Sequence, residues 1–359
     1  MIRSVGRIRT RQLAPIYVGK VETAIIKAAF KRFMRVIEVR EYGTPTVLQL
    51  ANHEQPAPSH NELRIEVEAA GVNFADVMHR RGTYPSGPAP PYVPGFEVAG
   101  IVDATGSAVD AFDSGERVVS YVASGTGGYA EYALAKPVHT FHVPDSVSLH
   151  EAVAVPIQFL TAHNCLFAWG GLNENDQVLI HAAAGGVGTA AVQLAREAGA
   201  DVFGTASTDV KLDRIDALGC DHCINYEETP FVEAIDTLTD GEGVDLVLDG
   251  VGGEVHHNSL RALAPFGRLV AFGVASGEGT QLNSSGLLTK NLQVYGYHYG
   301  SALAEAPDRV LEPADGILQQ LANGTLEAVL DNTIPLEKAA MAHQRLENRT
   351  SVGKIVLTL

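Results

Sequence analysis

Apolar and polar positions alternate through the first part of this chain, and then the period changes. Arg35-Val-Ile-Glu-Val-Arg40, Val47-Leu-Gln-Leu50 and Leu63-Arg-Ile-Glu-Val-Glu-Ala69 alternate or run apolar, with turn residues between them. Such stretches predict short strands. Phe96-Glu-Val-Ala-Gly-Ile-Val102 and Arg117-Val-Val-Ser-Tyr-Val122 continue the pattern, and Gly127-Gly-Tyr-Ala-Glu-Tyr-Ala133 closes it. Many short strands with Gly and Pro turns predict a barrel-like domain.

Near Glu151 the texture becomes helical, with Pro156, Gln158 and Thr161 on a helix that leads to a Gly-rich turn. From there strands alternate with helices. The strands are 178–180, 201–206, 223–226, 244–249, 268–273 and 292–297. The helices between them cover 187–198, 211–218, 231–238 and 258–263, with a further one over 310–322. This alternation predicts a parallel, doubly wound sheet. The tail Val352-Gly-Lys-Ile-Val-Leu357 is expected to return to the first domain.

The organising stretch is Gln177 to Ala200. Val178 to Ile180 suits a strand buried on both faces. Val187, Ala191, Leu194, Ala195 and Ala198 then recur at helical spacing. Between them lies Ala183-x-Gly185-x-x-Gly188. A backbone without side chains can approach a pyrophosphate, and the helix start offers free N–H groups and the positive end of its dipole. Ala184, Gly185, Gly186, Val187 and Gly188 are therefore candidate pyrophosphate contacts. The last Gly also lets helix and strand pack closely. The competing reading is a purely structural αβ corner, and the strand before and helix after favour the nucleotide.

Composition narrows the class. The chain has 359 residues, 46% hydrophobic and 19% charged, enough for two cored domains. No apolar run is expected to be long enough to span a bilayer. Three cysteines, Cys165, Cys220 and Cys223, do not make a disulfide framework and fit a reducing, cytoplasmic setting. Cys220-Asp-His-Cys223 has metal-like spacing without a second ligand pair, and reads as a packed connection.

The formal net charge is −16, unevenly placed. Residues 1–33 carry eight Lys or Arg and one Glu, and only five lysines lie beyond Met34. So acidic a body repels nucleic acid and anionic membranes and suits solubility in strong salt. The basic segment resembles a mitochondrial targeting sequence. The alternative, which we favour, is a non-native start with the working protein beginning at Met34.

Gly71-Val-Asn-Phe-Ala-Asp76, Arg81-Gly-Thr-Tyr84, Pro94-Gly-Phe-Glu-Val-Ala-Gly100, the Gly-rich turn and Asp249-Gly-Val-Gly-Gly253 fall in order. Together they resemble the zinc-independent quinone oxidoreductase (zeta-crystallin-like) branch of the medium-chain dehydrogenase/reductase superfamily. Asn73-Phe-Ala-Asp-Val-Met78 and Phe203-Gly-Thr-Ala-Ser207 also resemble its synaptic vesicle amine transport protein-like subgroup. The likeness covers Met34 to Leu359.

The resemblance implies an α/β architecture, a GroES-like β-rich catalytic domain over 34–154 and 299–359 and a Rossmann domain over 155–298, with 1–33 as an extension. It implies NADPH-dependent hydride transfer to quinones or α,β-unsaturated carbonyls. It also implies a homodimer joined through the last Rossmann strand. Where zinc-dependent relatives carry Cys and His, this chain has Asn73 and its neighbours, and Phe96. The thirteen histidines, His298 and the His256-His257 pair included, lack ligand spacing.

The second strand ends Thr205-Ala-Ser207 with Lys211 beyond it, and no acid is placed to clasp a ribose diol. Ser207 and Lys211 suit a 2′-phosphate instead. By resemblance Tyr226 and Arg349 join them. By resemblance too, Asn73, Gln158 and Thr161 lie near the nicotinamide, and Tyr84 near the substrate, where its hydroxyl can bond a developing oxyanion. Val251, Phe272 and Gly273 follow strand ends, where ligands of open α/β sheets collect. A second family tyrosine corresponds to Met78, which leaves the substrate open. Two other functions stay in play: an NADPH-binding structural or membrane-associated adaptor with little turnover, and an enoyl-thioester reductase.

Overall fold

The computed structural model describes residues 33–85 and 87–359. The reading of residues 1–32 as a targeting segment or non-native start lies outside them. A hairpin of β1 (Phe33–Val39) and β2 (Leu48–Glu54) opens the described chain. β3 (Leu63–Val72), helix α1 (Phe74–Arg81), β4 (Glu97–Thr105), β5 (Arg117–Val122) and β6 (Tyr132–His142) follow. Adjacent strands β3 to β6 pair antiparallel, and β3 also pairs with β6, which closes a barrel. Their inward positions, among them Leu63, Ile65, Val98, Val118 and Ala133, fill it.

The barrel is completed from the far end of the chain. β13 (Leu330–Pro335) and β14 (Lys354–Thr358) pair in parallel, and β14 joins β3 antiparallel. β6 departs from expectation. Residues 127–131 are not part of it, and it runs on through Lys136-Pro137 to His142. Exposed positions alternate along it, so one face is wet and the apolar signal is weak.

A long helix, α2 (Leu149–Trp169), crosses from the barrel to the second sheet. It contains two wide π-type turns, Val155–Phe159 and Asn164–Trp169. Pro156 lacks an N–H, which loosens the first of them. By length and composition α2 could cross a membrane, against the expectation that no segment would, yet 72% of its apolar window is buried inside the protein. Polar Gln158, His163 and Asn164 interrupt the run in sequence, and burial against two domains supplies its apolar demand.

The second sheet is parallel throughout. It holds β7 (Gln177–Ile180), β8 (Asp201–Ala206), β9 (His222–Asn225), β10 (Val244–Asp249), β11 (Leu263–Ala271) and β12 (Gln293–Gly296) in the order β12-β11-β10-β7-β8-β9. The order reverses at β7, the switch point where such sheets bind ligands. Val178 and Ile180 enter one core and Leu179 the other, as a run buried on both faces requires. Helices α3 (Gly186–Glu197), α4 (Asp209–Ala217), α5 (Phe231–Leu238) and α6 (Gly253–Ala262) intervene in the first five strands. α7 (Ser284–Lys290) precedes β12, and α8 (Tyr299–Glu305) follows it.

α6 and β11 both begin five residues before their sequence expectation: α6 opens on Gly253-Glu254, which carry no apolar signal, and Leu263 at the start of β11 reads in sequence as the end of the preceding helix. The helix expected over 310–322 is two, α9 (Pro307–Leu311) and α10 (Ala314–Ala322), broken at Pro313. α11 (Ala339–Glu347) connects β13 to β14 and packs against both.

Strand β7 meets helix α3 closely at Gly188. A Cβ there would stand 2.4 Å from the Ala182 carbonyl oxygen and 2.6 Å from Ala183 Cα. Both are backbone atoms, so the helix itself must shift. Gly188→Ala should therefore lose about 1–3 kcal/mol of stability, the ordinary cost of overpacking, measured by chemical denaturation. An unchanged midpoint would show that the turn has slack.

Candidate active site

The Gly-rich turn begins where β7 ends. Gly185 is extended, at φ −79° and ψ 176°, and serves as the N-cap of α3 without any side-chain cap. The first-turn N–H groups of Gly186, Val187 and Gly188 therefore remain available to an anion. The Ala184 carbonyl is already taken: it accepts the Gly353 N–H at 2.8 Å. The C-terminal loop thus grips the turn from the barrel side. Gln158 of α2 covers Gly186, where a Cβ would stand 1.8 Å from Nε2. Thr161, one turn later, is buried.

At the end of β8, Lys211 Nζ donates to the Arg349 carbonyl at 2.7 Å. Partial burial and then the nearby Arg349 guanidinium lower the Lys211 pKa. Two cations thus face each other where Ser207 leaves the strand, and Arg349 holds a left-handed backbone at φ 54°. Tyr226 sits at the end of β9 and its N–H donates to Ala206 at 3.2 Å. Of the four residues expected at this corner, Lys211 and Arg349 are joined by that bond, and the Tyr226 N–H is held by Ala206, the neighbour of Ser207.

Val251 and Phe272–Gly273 follow β10 and β11. The Val251 N–H is bound by Asp249 Oδ1 at 2.7 Å, and Phe272 packs on Gly250. Neither they nor Thr161 line the main cavity.

That cavity, of ≈ 400 Å³, opens between barrel and parallel sheet. Asn73, His79, Tyr84, Phe96, Tyr121, Ile157, His298 and Tyr299 supply most of its wall. The wall is mainly aromatic. His79 meets Tyr84 edge-on with centroids 4.4 Å apart, and Phe96 and Tyr121 stack at 6.3 Å. Burial drives the His79 pKa down to about 4, so this ring is neutral. Burial, with Asp76 nearby, raises the Tyr84 hydroxyl above its ordinary value, so the phenol keeps its proton.

Asn73 lines the cavity, but its side chain is already engaged. Nδ2 donates to Glu97 Oε1 at 2.8 Å, and Oδ1 accepts from Lys354 Nζ at 3.0 Å. Lys354 and Glu97 form a fully buried ion pair. The other oxygen, Glu97 Oε2, accepts the Ile157 N–H at 2.9 Å. Asn73 keeps one N–H and one lone pair for a ligand. Half of its amide is thus committed within the protein.

Tyr84 bonds His298, with Oη 2.6 Å from Nε2. This partner lies 214 positions away, and sequence reasoning missed it. The available signal was its place at the end of the last parallel strand, where ligand-facing residues collect.

Among the described residues no three His, Cys, Asp or Glu side chains stand together as a metal would require. The cavity wall holds imidazoles and phenols but no cysteine.

Two family models match the chain. One is described as "Alcohol dehydrogenase GroES-like domain", over residues 59–145. The other is "Zinc-binding dehydrogenase", over residues 186–314. Quinone oxidoreductase of Rattus norvegicus is 33% identical over 335 residues, covering 92% of this chain and all of that protein. The synaptic vesicle membrane protein VAT-1 homolog of Danio rerio is 33% identical over 85% of this chain, which spans 65% of that protein. Quinone oxidoreductase of Escherichia coli, solved in complex with NADPH, superposes with a TM-score of 0.85 at 32% identity, over 90% of this chain and 100% of that one.

Asp76 offers a test of how the site is held. Its carboxylate accepts the N–H groups of Asn73 at 2.9 Å and Gly95 at 3.0 Å, wholly buried. Burial outweighs these bonds and the nearby Lys354, and pushes its pKa up to about 7 from 3.8. The folded state thus binds this proton more tightly than the unfolded chain. The stabilisation is full below the unfolded pKa and is lost as pH rises towards 7. The unfolding free energy of wild type relative to Asp76→Asn should therefore fall between about pH 4 and about pH 7 and level off above that. A pH-independent difference, read by denaturant titration, would contradict this.

Proposed function

The chain belongs to the quinone oxidoreductase branch of the medium-chain dehydrogenase/reductase family, and we propose that it transfers hydride from NADPH to a quinone or an α,β-unsaturated carbonyl without zinc. The observation that carries this reading is a one-residue step along α2. Ile157 lines the aromatic cavity, and the next residue, Gln158, lies on Gly186 of the Gly-rich turn. Cofactor cradle and acceptor cavity are thereby adjacent.

On this reading, the N–H groups of Gly186, Val187 and Gly188 meet the pyrophosphate, with Ala184 and Gly185 shaping the approach. Ser207, Lys211, Tyr226 and Arg349 receive the 2′-phosphate. A phosphate between Lys211 and Arg349 would offset the repulsion that, after burial, lowers the Lys211 pKa. Asn73, Gln158 and Thr161 flank the nicotinamide, with Val251, Phe272 and Gly273 behind it. When bound, NADPH would supply the hydride, a proton with two electrons, and would be left as NADP⁺.

The protein's part is to orient the acceptor, exclude water and stabilise charge. Flat aromatic walls favour a planar, neutral acceptor. As hydride arrives, negative charge grows on the acceptor's oxygen, and the Tyr84 hydroxyl can donate a hydrogen bond to it. A quinol oxygen then takes its proton from water, and an enolate carbon from solvent or Tyr84. The cavity wall includes no Lys or Arg among the described residues, which disfavours an anionic acyl thioester.

Spectrophotometric NADPH oxidation against quinones, enones and enoyl thioesters tests the reading. Turnover is expected with an ortho-quinone or enone and should survive chelation. Loss on chelation with recovery on added zinc would overturn the metal-free mechanism. Tight NADPH binding without turnover on any acceptor would favour an adaptor.

Cofactor choice is a sharper test. A hydrogen bond to a charged group contributes about 1.5–3 kcal/mol, and tenfold in affinity is about 1.4 kcal/mol. NADPH should exceed NADH by at least about tenfold in kcat/KM. Lys211→Ala should erode that gap by weakening NADPH and leaving NADH nearly untouched, as isothermal titration would read. Equal losses for both cofactors would remove this corner from 2′-phosphate recognition.

A further inference from the structure

The bond between Tyr84 and His298 joins a loop of the barrel to the residue just beyond β12. Its polarity follows from the other side of the imidazole. The Ser301 backbone N–H donates to His298 Nδ1 at 3.1 Å, and Ser301 Oγ lies 2.8 Å from the same nitrogen. A backbone N–H can only donate, so Nδ1 must present its lone pair. In the neutral ring the proton is then on Nε2. Nε2 faces Tyr84 Oη at 2.6 Å and is the donor of that bond.

We propose that His298 is a positioning residue: it donates its Nε2–H to Tyr84 Oη and so leaves the tyrosine O–H free to donate into the cavity. A hydroxyl cannot donate to a nitrogen that already carries a proton. The Tyr84 O–H must therefore turn away from His298. Without the imidazole, the hydroxyl is free to rotate and to spend its proton on water or a neighbouring acceptor. The helix start of α8 sets the device, because His298 is its N-cap and the Ser301 N–H is one of its free donors. Cap geometry on one domain thereby orders a hydroxyl on the other. This rests on the reading of Tyr84 as the donor to the acceptor's oxygen.

The test combines kinetics with a readout that needs no cofactor. Nitrogen-15 NMR of histidine-labelled wild type should show His298 as the Nε2–H tautomer, with an Nε2 shift that moves in Tyr84→Phe. An Nδ1–H tautomer overturns the proposal whatever the enzyme does. With a turning-over acceptor, Tyr84→Phe and His298→Ala should each lower kcat about tenfold, the scale of one hydrogen bond, with KM little changed.

The double variant should be no worse than Tyr84→Phe alone, since both lose the same bond. His298→Gln, whose amide N–H reaches the Nε2 position, should recover most of the rate. His298→Asn, which can replace only the Nδ1 side, should not. Multiplying losses in the double variant, or equal rescue by Asn and Gln, overturns the proposal. If Tyr84→Phe leaves kcat untouched, Tyr84 loses its role and the proposal falls with it. If none of the acceptors supports NADPH oxidation by wild type, the functional reading fails, while the tautomer still decides how the bond is oriented.

Discussion

The buried pair of Lys354 and Glu97 is the constraint on which the rest of the site depends. Neither side chain has any exposure, and neither could be buried alone without a cost of several kcal/mol. Every remaining contact of Glu97 ties down something else. One oxygen holds the Asn73 amide at the start of α1. The other takes the Ile157 N–H from the loosened turn of α2. A single carboxylate thus fixes β4 to β14, to α1 and to the long helix beside the Gly-rich turn. Gly71 is part of the same arrangement, since a Cβ there would stand 2.4 Å from Glu97 Oε1 and 2.7 Å from Lys354 Cε. The Gly71-Val-Asn73 and Pro94-Gly-Phe-Glu97 motifs are two sides of one buried contact.

Around that anchor the walls divide by chemistry. On one side are backbone donors and two cations, suited to phosphates. On the other are rings with their protons held in place: a neutral His79, a protonated Tyr84, and Tyr121 pushed up to about 12 by burial. None of these rings is suited to take a proton near neutrality. This agrees with a reaction in which the difficult step is hydride delivery and the protein contributes shape and hydrogen bonding.

Much of this was legible in the sequence because it is local. The apolar run at Val178–Ile180, the glycines after it and the helical spacing beyond Val187 identify the parallel sheet and its cradle. The strands of the barrel are legible where one face is buried, and lost where β6 turns half-wet past Lys136-Pro137. What the sequence hides is pairing at long range. Asn73 reads as a free amide until Glu97 and Lys354 arrive beside it. His298 reads as an isolated ring between two tyrosines until Tyr84 is brought across the cleft. Such partners carry no periodicity, and the physics that joins them acts only after folding.

The barrel borrows β13 and β14 from the end of the chain, and with them the cation of its central pair. This has a consequence for synthesis on the ribosome. When Glu97 emerges, Lys354 is still 257 residues from being made. Until then the early strands can pair, but the carboxylate must stay hydrated and the barrel stays open on its β14 side. The parallel sheet, whose strands are contiguous, can assemble in the interval. Emergence of β14, by delivering one ammonium group, is then the event that lets the first-made half of the barrel dry out.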